Sequence, residues 1–179
     1  HYKNSLFDFI LADEYIIPRD KVNHYAEEVL YLPHCYQPNI ANRPKLSPVT
    51  KKDYGFSETT FIYASFGQSI KITEDQFNLW MNILKKSPHA HLWLLEANNS
   101  CKGNLLLRAK NCDVDNKRIK FAPKVSIQEH INRHQIIDLF LDTFPYNAHT
   151  STTDAIWAEC PVLTMSGQTF ASRVAGSIL

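Results

Sequence analysis

The sequence predicts an α/β domain, a Rossmann-like and mostly parallel sheet with helices on both faces. Three observations predict it. Short apolar runs alternate with amphipathic segments along the whole chain. The runs at 59–66, 91–97, 118–123, 136–143 and 161–165 are each followed by residues at helical spacing, a βαβα rhythm. Strands joined by crossover helices of this length run parallel with right-handed connections. The 179 residues suffice for one full domain, and a domain of this size buries roughly 70% of its unfolded surface without a disulfide or metal staple.

Taken in order, LFDFILA at 6–12 reads as a strand, a mixed helical stretch covers 19–28, and VLYLP at 29–33 reads as the next strand. HCYQPNIANRPKLSPVTKKDYGF, residues 34–56, carries three prolines and few apolar residues, which predicts an extended connector over the surface. TTFIYASF (59–66) is a buried strand, and TEDQFNLWMNILKKSP (73–88) is a helix. Thr73 with Gln76 makes a capping box there, while Phe77, Trp80, Met81 and Leu84 fall at i, i+3, i+4 and i+7 and form a core face. HLWLLEA, RIKFAP, IIDLFLDT and PVLTM supply the remaining strands. The chain starts close to a strand and stops inside the helical pattern ASRVAGSIL, so residues 1–179 are expected to be a piece of something longer.

Composition narrows the function classes. With 19 Lys and Arg against 18 Asp and Glu, nothing asks for nucleic acid or anionic lipid. Cys35, Cys101, Cys112 and Cys160 form no CxxC pair, and no stretch resembles a signal peptide or membrane span, so reduced thiols in a cytoplasm are expected. The five glycines include neither GxGxxG nor a P-loop. His130 and His134 have the i, i+4 spacing of a zinc helix but lack the general-base Glu after the first His. Asp113 and Asp115 form a DxD inside the polar run KNCDVDNKR, which reads as a surface turn. His89 and His91, at a strand start, read as solvated imidazoles.

Ligands of parallel sheets bind beyond the carboxyl ends of the strands. Three loops stand there: FGQSIK, APKVSIQEHINR and TFPYNAHTSTTD. The last packs an Asn, a His, hydroxyls and an Asp at a strand-to-helix junction. A helix starting around His149 to Thr153 would aim its free N–H groups, the hydroxyls of Thr150 and Ser151 and the His149 imidazole at an anion. A plain Ser/Thr cap accounts for one hydroxyl rather than the cluster. Lys71 adds a positive charge if it reaches the site, and is otherwise a solvated loop lysine.

DLFLDTFPYNAHTSTTDAIWAECPVLTMSGQTFASRVAGSIL closely resembles the C-terminal catalytic lobe of the O-linked N-acetylglucosamine transferases, and YLPHCYQPN, SFGQSIKIT and HLWLLEAN match that family too. The likeness runs from about residue 5 to 179, with the bacterial branch nearest. It implies the C-terminal nucleotide-binding lobe of a two-lobed GT-B glycosyltransferase. It also implies transfer of GlcNAc from UDP-GlcNAc to Ser or Thr of proteins, inverting and without a metal or other cofactor. The acceptor protein would be selected by an upstream lobe and helical (TPR) repeats. The plant relative Spindly, which the resemblance marks as a GDP-fucose enzyme, supplies one alternative, and a non-catalytic nucleotide- or partner-binding domain the other.

Carried over by residue, the resemblance places Gln68 and Lys71 on the nucleotide diphosphate, with Lys71 as the catalytic group neutralising the leaving diphosphate. Val125 and Ile127 fall at the base, His130 and Arg133 on the helix beside the nucleotide, His149, Thr150 and Ser151 at the diphosphate-binding helix start, and Asp154 at the ribose. An exposed helix face for His130 and Arg133, and a helix-dipole role for Asp154, remain the simpler alternatives. Arg173 reads as structural, pairing with a carboxylate or helix end. Ile127 stands where the animal enzymes have Lys, Gly67 where the family often has Asn, and Ser151 where Thr is common. Glu159 replaces a Gly, so the helix is expected to lack its easy left-handed cap.

Overall fold

The computed structural model describes residues 7–40 and 42–179, so the predicted strand start at Leu6 and the connector's Ala41 lie outside the described residues. Strands β1 (Phe9–Ala12) and β2 (Glu28–Tyr31) pair in parallel with each other. They form a separate two-stranded sheet rather than extending the main one. The stretch between them coils only over Arg19–His24, as a 3-10 helix with no buried residue. It lacks an apolar face to hold a full helix against the body.

The main sheet is five-stranded and parallel. It is built from β3 (Phe61–Ser65), β4 (Ala90–Leu95), β5 (Ile119–Ala122), β6 (Leu139–Leu141) and β7 (Val162–Leu163), in the spatial order β5-β4-β3-β6-β7. From β3 the chain moves outward to β4 and β5, then returns to lay β6 on the other side of β3. The connections after β3 and β6 therefore diverge, which opens a crevice between their carboxyl ends. The run 136–143 yields a strand of only three residues because a 3-10 turn, Arg133–Ile136, uses its start.

Helices α1 (Glu74–Lys86), α2 (Asn99–Asn111), α3 (Ile127–Asn132), α4 (Thr150–Trp157) and α5 (Val174–Ile178) complete the described chain. Alternate residues of the strands feed two cores, as the pleat requires. Ile62, Ala64, Phe66, Trp93 and Phe140 fill one face. On the other, Leu92, Leu94 and Leu141 meet Phe77, Trp80, Met81 and Leu84 of α1, the four residues predicted to form its core face. Each such side chain contributes roughly 1.5–3 kcal/mol by burial. A third cluster joins Ala12, Ile16 and Ile17 to Val174 of α5.

Four local expectations change. Thr73 does accept from the Gln76 amide, at 3.3 Å, but the Gln76 side chain does not return the bond. Its Nε2 donates to the Asp142 carbonyl at 2.8 Å and its Oε1 accepts from the Phe144 amide at 3.0 Å, so it fastens α1 to the loop after β6. Glu159 gives α4 the left-handed cap that its lack of glycine argued against, at φ 59°. Glu159 N donates to Ile156 and Cys160 N to Ala155, both at 2.9 Å, closing a Schellman turn. Arg173 is structural but pairs with no carboxylate among the described residues: it donates to the carbonyls of Tyr15 (2.6 Å) and Gly167 (3.1 Å). His91 is half-buried against Phe56, not solvated.

Asp113 and Asp115 lie in the expected surface turn, Asp113 left-handed at φ 58° and Asp115 accepting from the Lys117 amide. Over its described residues the connector is extended apart from a 3-10 turn at Lys51–Tyr54. It is also fastened down: Gln128 and Gln135 donate to the carbonyls of Lys45 and Ser47, and Ser47 N donates to Asn132. Among the described residues no helix is long and apolar enough to cross a membrane.

Candidate functional site

The crevice between β3 and β6 is walled by the 3-10 turn Ser69–Lys71 on one side and the loop 142–149 on the other. Asp142 organises that loop. The residue is 6% exposed, and its carboxylate accepts from the amides of Thr143 (2.7 Å) and Ala148 (2.5 Å) and from Thr164 Oγ1 (2.6 Å). Thr143 Oγ1 donates to the Tyr146 carbonyl at 2.6 Å, and Asn147 Nδ2 to the Thr143 carbonyl at 2.9 Å. The loop is thereby folded into one shape and delivers the chain to the start of α4. Burial pushes the Asp142 carboxyl above its ordinary value of 3.8, against the pull of its three hydrogen bonds and of Lys71.

Lys71 reaches across to this loop. Its ammonium donates to the Asn147 carbonyl at 2.9 Å and sits 4.2 Å from the centre of the Tyr146 ring. An ammonium has three donors, so this cation is held in place with donors to spare. Burial lowers its pKa below the usual 10.5, and Asp142 partly offsets that. The Tyr146 ring stacks on His149 at 5.4 Å and 14°. His149 is kept below its ordinary 6.5, first by burial and then by the Lys71 charge, and its buried Nε2 has no partner among the described residues.

His149 precedes α4 but makes no side-chain cap. The helix starts at Thr150, as the hydroxyl cluster predicted. Two of the four hydroxyls turn elsewhere: Thr152 donates to the Ala148 carbonyl, and Thr153 accepts from Gln37. Thr150 and Ser151 have no side-chain partner among the described residues and remain with the first amides of the helix, whose dipole end is positive. Lys71, His149, Thr150 and Ser151 thus form one cationic and donor-rich cluster.

A second cluster lies one turn along α4, a rise of about 5.4 Å. Asp154 is buried, its side chain 12% exposed; Arg43 of the connector pairs with its Oδ1, and His130 Nε2 lies 3.7 Å from its Oδ2. Arg133 Nη2 contacts His130 Nδ1. Because guanidinium can only donate, His130 Nδ1 accepts, and the neutral ring carries its proton on Nε2. Burial and then Arg133 depress its pKa to about 4, only partly countered by Asp154. His130 therefore presents an N–H donor beside a carboxylate. Val125 is half-buried and Ile127 is 59% exposed at the start of α3.

The structure corrects one expectation here. Arg133 is neither on an exposed helix face nor at the site surface. It is 1% exposed, its guanidinium lies 4.5 Å from the Phe66 ring centre, and it donates to the Pro123 carbonyl at 2.8 Å. It stands behind His130 and fixes that ring. Gln68 precedes the turn that carries Lys71, whose amide donates to the Gln68 carbonyl at 3.0 Å, and it lines a cavity of about 270 Å3 with Leu95, Glu96 and Lys124. Sequence reasoning missed Asp142, Tyr146, Gln76 and Arg43. Asp142 was absorbed into a predicted strand, and Arg43 sits in a connector without a pattern.

The parallel order with its crevice between β3 and β6 is that of a doubly wound nucleotide-binding fold, and its structural neighbours make it the C-terminal lobe of a GT-B glycosyltransferase. An O-GlcNAc transferase mutant from Thermobaculum terrenum has this fold, with a TM-score of 0.83 at 23% identity over 97% of this chain and 33% of that one. The profile of glycosyl transferase family 41 matches residues 39–179, and the chain belongs to that family. It is 36% identical over 180 residues to the Arabidopsis thaliana probable UDP-N-acetylglucosamine–peptide N-acetylglucosaminyltransferase SEC, covering 97% of this chain and 18% of that protein. The Caenorhabditis elegans UDP-N-acetylglucosamine–peptide N-acetylglucosaminyltransferase is 31% identical over 73% of this chain and 11% of its own length. The chain thus spans less than a fifth of the length of these two curated relatives.

Proposed function

We propose that this chain is the donor-binding lobe of a cytoplasmic protein O-GlcNAc transferase, which transfers GlcNAc from UDP-GlcNAc to Ser or Thr with inversion. The observation that carries this reading is Lys71, a half-buried ammonium held over the start of α4 by the Asn147 carbonyl and the Tyr146 ring. In this reading the diphosphate lies against Lys71, His149, Thr150, Ser151 and the first amides of α4. The nucleoside extends along α4 to Asp154, His130, Val125 and Ile127, and Gln68 borders the donor from the adjacent cavity. Arg133 supports His130 from behind.

The chemistry follows from where charge develops. The acceptor oxygen attacks the anomeric carbon from one face while the bond to the diphosphate breaks on the other, and negative charge grows on the departing oxygen. A fixed cation and a helix N-terminus aimed at that oxygen stabilise the transition state more than the ground state. The role that a metal plays in other transferases falls here to Lys71 and α4. The acceptor side, with its protein-selecting helical repeats, lies on parts that these residues do not supply. The two curated relatives above carry UDP-N-acetylglucosamine in their names, which favours uridine over GDP-fucose.

The test is titration calorimetry of UDP and GDP, each with and without EDTA, followed by transfer from labelled UDP-GlcNAc to a Ser/Thr-rich peptide. UDP should bind more tightly than GDP and equally well in EDTA. Preference for GDP would replace the donor assignment, a strict requirement for a divalent ion would remove the charge role from Lys71, and binding of neither would leave a non-catalytic domain.

A further inference from the structure

Arg43 belongs to the connector, 111 residues from its partner in sequence, yet it forms an ion pair with Asp154 in which the two side chains are 13% and 12% exposed. The connector is fastened on both sides of it. Before Arg43, Gln37 Nε2 donates to Thr153 Oγ1 of α4 at 3.4 Å. After it, Trp157 Nε1 of α4 donates to the Pro44 carbonyl at 3.1 Å, and Gln128 Nε2 of α3 to the Lys45 carbonyl at 2.7 Å. A segment held at so many points is a fixed strap, not a lid, and its effect is to present one guanidinium to one carboxylate.

A carboxylate offers about four lone-pair sites over two oxygens. Arg43 occupies Oδ1, while His130 Nε2 lies 3.7 Å from Oδ2, beyond a hydrogen bond. Oδ2 therefore keeps room for hydroxyl donors. The Arg43 Nε is buried and has no partner among the described residues. Among those residues, Arg43 is the cation in ion-pair range of Asp154; His130, also within 4 Å, is a neutral ring already tied to Arg133. Removing Arg43 would leave a buried carboxylate without its full countercharge and free to rotate.

We propose that Arg43 is a positioning residue of the donor site: it locks the Asp154 carboxylate with one oxygen turned to the ribose diol of the nucleotide. The proposal rests on the reading of Asp154 as the ribose contact. It adds a specificity element contributed by the connector, outside the sheet loops that form the rest of the site.

The experiment compares the affinity of UDP with that of 2′,3′-dideoxy-UDP in the complete protein and in its Asp154→Ala, Arg43→Ala, Arg43→Gln and Arg43→Lys variants. A hydrogen bond to a charged group should make loss of the diol cost roughly 10- to 100-fold in affinity in the unaltered protein. Asp154→Ala should abolish that discrimination. Arg43→Ala should reduce it to about threefold or less while Asp154 is still present, and Arg43→Lys should recover part of it, because a lysine supplies the charge without the planar fork. Thermal melts establish that each variant is folded. If Arg43→Ala does not fold, Arg43→Gln, which keeps a donor but not the charge, takes its place and is expected to lose the discrimination likewise. If the discrimination persists in the folded Arg43 variants but vanishes in Asp154→Ala, the Arg43 proposal is overturned and the ribose assignment stands. If it persists in Asp154→Ala, the ribose assignment itself fails and the proposal with it.

Discussion

Lys71 Nζ donates to the backbone carbonyl of Asn147 across 2.9 Å, joining the connections after β3 and β6 at the crevice where they diverge. The contact is to backbone, so it survives side-chain changes in the loop and places the ammonium by the loop's own shape. That shape is set by Asp142, and the position of Lys71 is thus a property of the β6 connection as much as of its own.

Lys71→Ala should therefore slow the chemistry more than it weakens binding. Loss of one preorganised donor to a developing oxyanion typically costs roughly 2.7–4 kcal/mol, or about 100- to 1000-fold in kcat. Steady-state kinetics of the complete enzyme separate the outcomes: an unchanged kcat with a raised KM would make Lys71 a uniform binding group instead.

Asp142 can be split into a structural and an electrostatic part. Asp142→Ala orphans the buried amides of Thr143 and Ala148, at roughly 1–3 kcal/mol each, and should lower the denaturation midpoint clearly. Asp142→Asn can keep Oδ1 as acceptor and donate to Thr164 Oγ1, so it should fold nearly as well. It nevertheless removes the negative neighbour that partly offsets the depression of the Lys71 pKa by burial. The alkaline limb of kcat against pH should move to lower pH in Asp142→Asn, and an unmoved limb would detach Asp142 from the Lys71 charge.

The sheet was legible because its strands are apolar runs with amphipathic crossovers, and the start of α4 because four hydroxyls and a histidine exceed what a cap needs. Other features depend on partners distant in sequence. Arg133 looks like a surface residue of a short helix until Phe66 and Pro123, from two other connections, close over it. Gln76 satisfies the capping-box pattern, yet the Asp142 carbonyl and Phe144 amide offer it better-buried partners. The connector carries no periodicity, so nothing local marks Arg43 as different from Lys45.

The buried histidines make stability fall in mild acid. Burial, with Arg133 beside it, holds His130 at about 4, and burial, then the neighbouring His130, holds His134 at about 3, against an ordinary 6.5. Both are neutral in the fold, whereas the unfolded chain takes up their protons as pH drops through 6.5. Stability is therefore complete above about 6.5 and declines below it, down to about 4 for His130 and about 3 for His134. The slope approaches about 1.4 kcal/mol per pH unit for each proton. Urea denaturation at a series of pH values should show this decline, and His134→Leu should flatten it. A variant as acid-sensitive as the parent would refute the assignment.

Glu159 holds a left-handed conformation at φ 59° at the end of α4, with its side chain exposed to solvent. For a residue with a Cβ this region costs about 1–2 kcal/mol, whereas glycine enters it freely but loses more entropy on folding, about 0.5–1 kcal/mol. The difference favours Glu159→Gly by about 0.5–1 kcal/mol, which for a domain of this size raises Tm by about 1–4 °C. Glu159→Ala keeps the steric penalty and should leave Tm close to that of the parent. The comparison isolates the backbone, because both substitutions remove the same carboxylate. If alanine and glycine shifted the melting temperature equally, the carboxylate rather than the left-handed turn would be what α4 responds to.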